Sequence, residues 1–226
     1  MMTIVMIDVE AGKEDLFDRL YTNLSEMKDK MVSDKIEILY VAKCYTHSDI
    51  SLMVDVKDPE ALPPFVVNII LQMDGVWDIQ LIPLLNPRFF KIPEGIEEKG
   101  FHHFTVTLDV RAQKTKSVYK NLIEMASKEE DAIPFIAYSF ASYENDIILS
   151  FLSQDIASAG RFVEEKIRSI DGVIDTYLWQ IEKWQFICSD QEWLSCIQSV
   201  PTEEPLELDI IERSFKKIMD SYISAL

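Results

Sequence analysis

The side chains with the most chemical potential in this 226-residue sequence are few: His47, the adjacent pair His102 and His103, and the thiols Cys44, Cys188 and Cys196. An imidazole titrates near neutrality and ligates metals, so the histidine pair is the group to test for a catalytic or ligating role. Next to His102 and His103 no further residue has ligand spacing, and a histidine pair at a strand end reads as solvated. The three cysteines lack the close paired spacing of a zinc or redox site and read as packing residues. The acidic runs "EGIEEK" and "SKEEDA" lack the regular ligand spacing of a calcium loop and read as solvated faces. No glycine-rich phosphate loop, Gly-x-Ser-x-Gly elbow or His-Glu-x-x-His helix occurs. The expectation is therefore no catalytic residue, no metal and no cofactor.

Charge narrows the partners. With 22 Lys and Arg against 39 Asp and Glu, the formal net charge of -17 repels phosphate backbones, which excludes direct nucleic-acid binding as an expectation. The N-terminal "MMTIVMIDVEAGK" has no basic start or small-residue cleavage site, and no stretch approaches the roughly 18 apolar residues of a membrane span. The sequence reads as cytoplasmic and without a membrane partner.

These residues are positioned by elements that the sequence specifies twice. "DVEAGK" (8–13) returns as "DVRAQK" (109–114), "YTHSDISL" (45–52) as "SYENDIIL" (142–149), and "MDGVWD" (73–78) as "IDGVID" (170–175). The offset is 101 at the first landmark (109 − 8) and 97 at the other two (146 − 49 and 171 − 74), so three landmarks recur in one order. A period near 100 residues suits a duplicated small domain.

Each copy predicts the same order. Phe104, Val106, Leu108 and Val110 alternate with Thr105, Thr107 and Asp109 as in a strand with one apolar face. Val118, Leu122, Ile123 and Met125 then recur at helical spacing, as Leu16, Phe17, Leu20 and Leu24 do in the first copy. A hairpin follows (133–143 with 146–152; 36–44 with 50–56), then a helix from about Asp155 to Ser169, a Gly-capped reversal and a last strand, 173–181. The result is βαββαβ, twice. Asp74-Gly75 and Asp171-Gly172 read as structural turns. Nothing local explains why lysine recurs at 13 and 114, since a helix's first turn does not favour a cation.

In "IPFIAYSFA" (133–141) both alternating sets are largely apolar, so both faces of the sheet need cover. The expected fold class is α+β: two tandem ferredoxin-like βαββαβ domains whose antiparallel sheets pack face to face as an intramolecular pseudo-dimer of dimeric α/β-barrel type, plus a C-terminal helix. The expected division is 1–85, a linker 86–100 whose Phe89 and Phe90 tuck against one copy, 101–183, and a docked tail 184–226. In that tail Ile211, Phe215, Ile218, Tyr222 and Ile223 form one helical stripe, to be covered by the protein's own body or by a partner protein or second subunit.

The βαββαβ order, the polar corner before an Asp-initiated apolar strand and the "DGV" ending of the second helix resemble the effector-binding domain of the leucine-responsive/AsnC (feast/famine) regulators, over about 3–85 and 101–183. The chain departs from that family in starting directly with a strand, in carrying two such domains, and in lacking the family's glycine at both corners. The resemblance implies a small effector, such as an amino acid, at the hairpin corners: Thr46, His47, Ser48 and Asp49 in one copy, Tyr143, Glu144, Asn145 and Asp146 in the other. The residues singled out are Asp49 and Asp146 as anchors, with Tyr45, His47, Tyr143 and Asn145 lining the site. The alternative at these corners is a turn in which both aspartates accept backbone hydrogen bonds. Tandem βαββαβ units are also similar to dimeric α/β-barrel enzymes, some of which hold haem through a histidine, which directs attention back to His102 and His103. Three classes therefore stay open: a non-enzymatic metabolite-sensing regulatory module, a protein-interaction scaffold, and a barrel-type enzyme or haem protein.

Overall fold

The structure, a computed structural model, describes residues 1–27, 35–45, 49–90, 100–128, 132–141 and 145–188, without the side chains of 140, 141 and 145. The C-terminal stripe from Ile211 to Ile223 lies outside the described residues. The chain divides into two compact units, one of Met1–Cys44, Ser48–Leu85 and Lys183–Leu226, the other of Tyr45–His47 and Asn86–Glu182. Each is a ferredoxin-like α+β unit, in keeping with the repeat.

In the first unit β1 (Met2–Val9), α1 (Leu16–Met27), β2 (Ile36–Tyr45), β3 (Ile50–Val56), α2 (Leu62–Phe65) and β4 (Val76–Phe89) follow one another. The strands pair antiparallel in the order β4-β1-β3-β2. Leu16, Phe17, Leu20 and Leu24 of α1 are buried against Val5, Ile7, Leu52 and Val54, so the helical stripe and the period-two stripe meet in one core. The second unit repeats this with β5 (His102–Val110), α3 (Thr115–Ala126), β6 (Phe135–Ala141), β7 (Asn145–Ser153), α4 (Ile156–Phe162) and β8 (Val173–Phe186), in the order β8-β5-β7-β6. Its core joins Phe104, Val106 and Leu108 to Val118 and Leu122.

Two features recur in both units. The second helix of each ends in a π-helical turn, Val66–Ile70 after α2 and Val163–Ile167 after α4, so the helix expected through Ser169 changes its hydrogen bonding at Val163. The approach is shared as well: Asp58 caps the 3-10 turn Pro59–Ala61 that leads into α2, and Asp155 caps α4, accepting the N–H of Glu60 and Ser158 at 3.0 and 2.6 Å.

The recurrence of lysine at 13 and 114 has a tertiary explanation. Lys13 Nζ lies 2.6 Å from Asp74 Oδ2, and Lys114 Nζ lies 2.8 Å from Asp171 Oδ2. Gly75 and Gly172 adopt φ of +99° and +110°, and their carbonyls accept the N–H of Glu10 and Arg111. A Cβ on Gly75 would stand 2.9 Å from Lys13 Cβ, and one on Gly172 would stand nearer still to Lys114 Cβ. The "DVxAxK" and "DG" landmarks are thus two halves of one clasp, in which lysine lies across the glycine and pairs with the aspartate before it.

β4 and β8 are both long strands, running on to Phe89 and Phe186. β4 continues to Phe89, whose ring lies 5.0 Å from that of Phe135, and Phe90 N–H donates to the Pro134 carbonyl, so Phe89 and Phe90 pack on the second unit. β8 continues to Phe186, and its last residues belong to the first unit, where Trp184 and Phe186 meet Tyr40 edge-on and Lys183 pairs with Asp18 at 2.9 Å. Among the described residues no helix is long and apolar enough to cross a membrane.

Candidate functional site

Each sheet has one face under its helices and a second face that is buried over much of its extent, with Gln80 in the first unit and Tyr177 in the second exposed, and the second faces of the two units differ in chemistry. In the first unit the residues alternating with the helix-facing set include Met2, Ile4 and Met6 on β1, Met53 on β3 and Ile82 on β4, all buried, together with the buried Ser51 opposite Met6, which accepts a hydrogen bond from Cys44. At the offsets of the repeat, 101 and 97, the second unit has His103, Thr105, Thr107, Ser150 and Trp179. Thr105, Thr107 and Ser150 are only 6%, 2% and 8% exposed. The alternation of Thr105, Thr107 and Asp109 with apolar residues, which predicts a strand with a single apolar face, therefore marks a buried polar face instead.

The register places these groups. Thr105 stands opposite Ser150 on β7 and Trp179 on β8, Thr107 opposite Ile148 and Tyr177, and His103 opposite Leu152 and Ile181. Thr105 Oγ1 and Ser150 Oγ share a hydrogen bond of 3.3 Å in which either can donate. Thr107 Oγ1 is buried and has no hydrogen-bond partner among the described residues. Ser139 of β6 is buried on the same face. His103 is half-buried, and loss of solvent around its imidazole pushes its pKa down to about 4, so the ring is neutral at pH 7. Its neighbour His102 is exposed. The pair expected to be solvated is thus split by the alternation of the strand, with His103 carried to the buried face.

One end of this face is acidic. Asp109 of β5 stands opposite Asp175 of β8, at a bulge between Asp109 and Val110. Asp146 Oδ2 accepts the Val110 N–H at 2.7 Å, and burial raises the pKa of Asp146. Asp175 accepts the N–H of Thr176 and pairs with Arg168 at 3.1 Å. No lysine or arginine lies among the described side chains that β5, β6, β7 and β8 place on this face within the second unit.

The hairpin corners are placed as follows. Asp49 Oδ2 accepts the Val9 N–H at 2.7 Å, at a bulge between Asp8 and Val9, as Asp146 does with Val110. Both aspartates hold the end of their unit's first strand, and the paired bulges explain why the same aspartate recurs. Tyr45 is half exposed. Thr46, His47, Ser48, Tyr143 and Glu144 lie outside the described residues, as does the side chain of Asn145, so a site around these corners is not assembled by what is described. The polar second face escaped sequence reasoning; the signal that could have revealed it is the position-by-position exchange of Met and Ile for His, Thr and Ser between the copies. Cys44 and Cys188 are buried thiols, in keeping with packing roles.

Tyr119 of α3 stacks on Tyr138 of β6 with ring centroids 3.9 Å apart and donates its hydroxyl to the carbonyl of Asn86, a residue at φ 48°. Burial raises both phenols, Tyr138 to about 12, so they serve as neutral packing groups at physiological pH.

No family model matches the sequence, and no curated protein matches it. Solved structures do share its fold. A candidate monooxygenase from Lactobacillus acidophilus NCFM matches with a TM-score of 0.54 at 9% identity, over 82% of this chain and 95% of its own. An anthrone oxidase-like protein matches with a TM-score of 0.52 at 8% identity, over 83% and 93%. AsnC of E. coli matches at 15% identity over 41% of this chain and 59% of its own, with a TM-score of 0.32, which carries no argument for that family. Identities this low show the fold alone: the chain shares the ferredoxin-like, dimeric α/β-barrel class with its neighbours, two tandem domains included.

Proposed function

We propose that this protein binds a small metabolite through the second unit and that the first unit serves as its structural counterpart. The observation that carries this reading is the exchange at equivalent buried positions: Met2, Ile4, Met6 and Met53 in one copy against His103, Thr105, Thr107 and Ser150 in the other. An apolar face is the cheaper solution for a buried sheet, because each enclosed polar group costs roughly 1–3 kcal/mol unless it finds a hydrogen-bond partner. The first unit adopts that solution at these four positions, with Ser51 as a buried hydroxyl beside them, and the second does not. Hydroxyls, a neutral imidazole and the rings of Tyr177 and Trp179 on one face are what a pocket for a small organic molecule needs. The binding event would make the protein a sensing or regulatory module of the kind the sequence suggests.

A thermal-shift screen with a metabolite panel that includes amino acids tests this, since a ligand of the native state raises the melting temperature according to its concentration over its dissociation constant. The expected result is a saturable shift that Ser150→Ala weakens. No shift with any compound at high concentration removes the proposal.

A barrel-type enzyme or haem protein is the second reading, favoured by His103. Its imidazole is neutral at pH 7, the state in which it ligates iron, and it lies on the polar face. Haem would be held by His103, with Trp179 and Thr105 nearby, and would supply redox chemistry there. Titration with haemin decides: a Soret band lost in His103→Gln supports this reading, and free-haemin spectra throughout dismiss it.

A further inference from the structure

The polar face carries information about the charge of what it binds. Thr107 Oγ1 is enclosed at 2% exposure without a hydrogen-bond partner among the described residues, in a row with the Thr105–Ser150 hydroxyl pair, and the described charged side chains on the face include Asp109, Asp146 and Asp175. A carboxylate brought to this surface would lose its hydration, meet no cation among the described side chains that these four strands place on it, and face Asp109 and Asp146 at the bulge end, where the nearby Arg168 is already paired with Asp175. A carbonyl or hydroxyl would meet donors and acceptors that match it, and an ammonium group would find the aspartates.

Buried hydroxyls without partners are not by themselves sites, and the molecule contains its own control. Thr3 Oγ1 is also enclosed and unpartnered among the described residues, but Thr3 alternates with Ile4 and Met6 and shares the helix-covered side of β1 with Val5 and Ile7, among apolar neighbours. What sets Thr107 apart is its company: Thr105, Ser150 and Tyr177 on one face.

Resting on the proposed metabolite-binding role, we infer that Thr107 is a ligand-anchoring residue and that the second unit selects uncharged or cationic molecules bearing a carbonyl or hydroxyl, and rejects free carboxylates. This narrows the amino-acid reading, because a free amino acid brings a carboxylate that this face does not accommodate, whereas an amide or amine derivative fits it.

The test pairs probes that differ only in that group: L-tryptophan with L-tryptophanamide, and indole-3-acetate with indole-3-acetamide. Thermal shifts are recorded for the full-length wild type, Thr107→Val and Thr3→Val. The expected result is that each amide raises the melting temperature of the wild type and its acid does not. Without ligand both valine variants melt about 2–4 °C higher, since each removes an unpaired buried hydroxyl while keeping its shape. Thr107→Val then loses about tenfold in apparent amide affinity, the size of one hydrogen bond, while Thr3→Val keeps it. Shifts by the acids equal to those of the amides overturn the ligand class and leave metabolite binding standing. A lower melting temperature for Thr107→Val without ligand overturns the anchoring role by showing that the hydroxyl is structural. Silence from all four compounds overturns the inference, and the proposed function falls with it only if the wider panel is silent too.

Discussion

Lowering the pH from 7 to 4 should destabilise this protein in part through His103. Its imidazole titrates near 6.5 when solvated but is held at about 4 in the folded chain because burial disfavours the cation. The sign follows from linkage. Between those values the unfolded chain binds a proton that the folded chain refuses, so stability is full above about pH 6.5, falls as the pH approaches 4, and changes no further below it on this residue's account. Each pH step in that window costs about 1.4 kcal/mol, which over the gap amounts to about 3 kcal/mol. For a chain of this size that is a drop of roughly 6–12 °C in melting temperature. Asp74 and Asp171 are held below the usual carboxylate range by the hydrogen bonds and charge of Lys13 and Lys114, so acidification also removes stability that these two pairs contribute. Their contribution cancels when wild type and His103→Gln are compared. Urea unfolding of both proteins at half-unit pH intervals is the assay, with the difference in their pH slopes as the readout. If His103→Gln loses as much stability between pH 6.5 and 4 as the wild type, the imidazole is not desolvated and its place on the buried face is wrong.

Three further outcomes follow from the geometry. Gly172→Ala should cost about 2–4 kcal/mol in urea unfolding, and Gly75→Ala less, because both force a side chain into positive φ while the added Cβ meets Lys114 more closely than Lys13; equal losses would refute the clasp as the source of the difference. Asp146→Ala should cost about 1–2 kcal/mol by stripping the Val110 N–H of its acceptor, whereas Asp146→Asn keeps an acceptor and should cost markedly less; amide exchange at Val110 reads the bond directly, and an Asn variant as damaged as the Ala variant would argue against it. Alkaline titration at 295 nm should leave Tyr40, Tyr119 and Tyr138 un-ionised at pH 11 in the native protein, since burial raises all three phenols; Tyr119→Phe should leave the native tyrosinate absorbance at that pH unchanged.

The duplicated order of elements is legible without coordinates because its signals are local. Leu16, Phe17, Leu20 and Leu24 repeat at helical spacing whatever they pack against, Phe104, Val106 and Leu108 alternate as any half-covered strand does, and Gly75 and Gly172 mark reversals by their own backbone freedom. The hairpin aspartates were visible too, although their acceptor role depends on a bulge in a different strand, about 40 residues away from Asp49 and 36 from Asp146.

The sequence by itself determined which residues are apolar, in what period they recur, and that the chain says so twice; those properties belong to single segments. Only tertiary structure decided what Lys13 and Lys114 are for, since their partners stand 61 and 57 (171 − 114) residues further along. It alone decided that Thr105 and Thr107 are enclosed and that His103 is neutral. Alternation tells which residues share a face of a strand, but whether water reaches that face depends on what the rest of the chain lays over it.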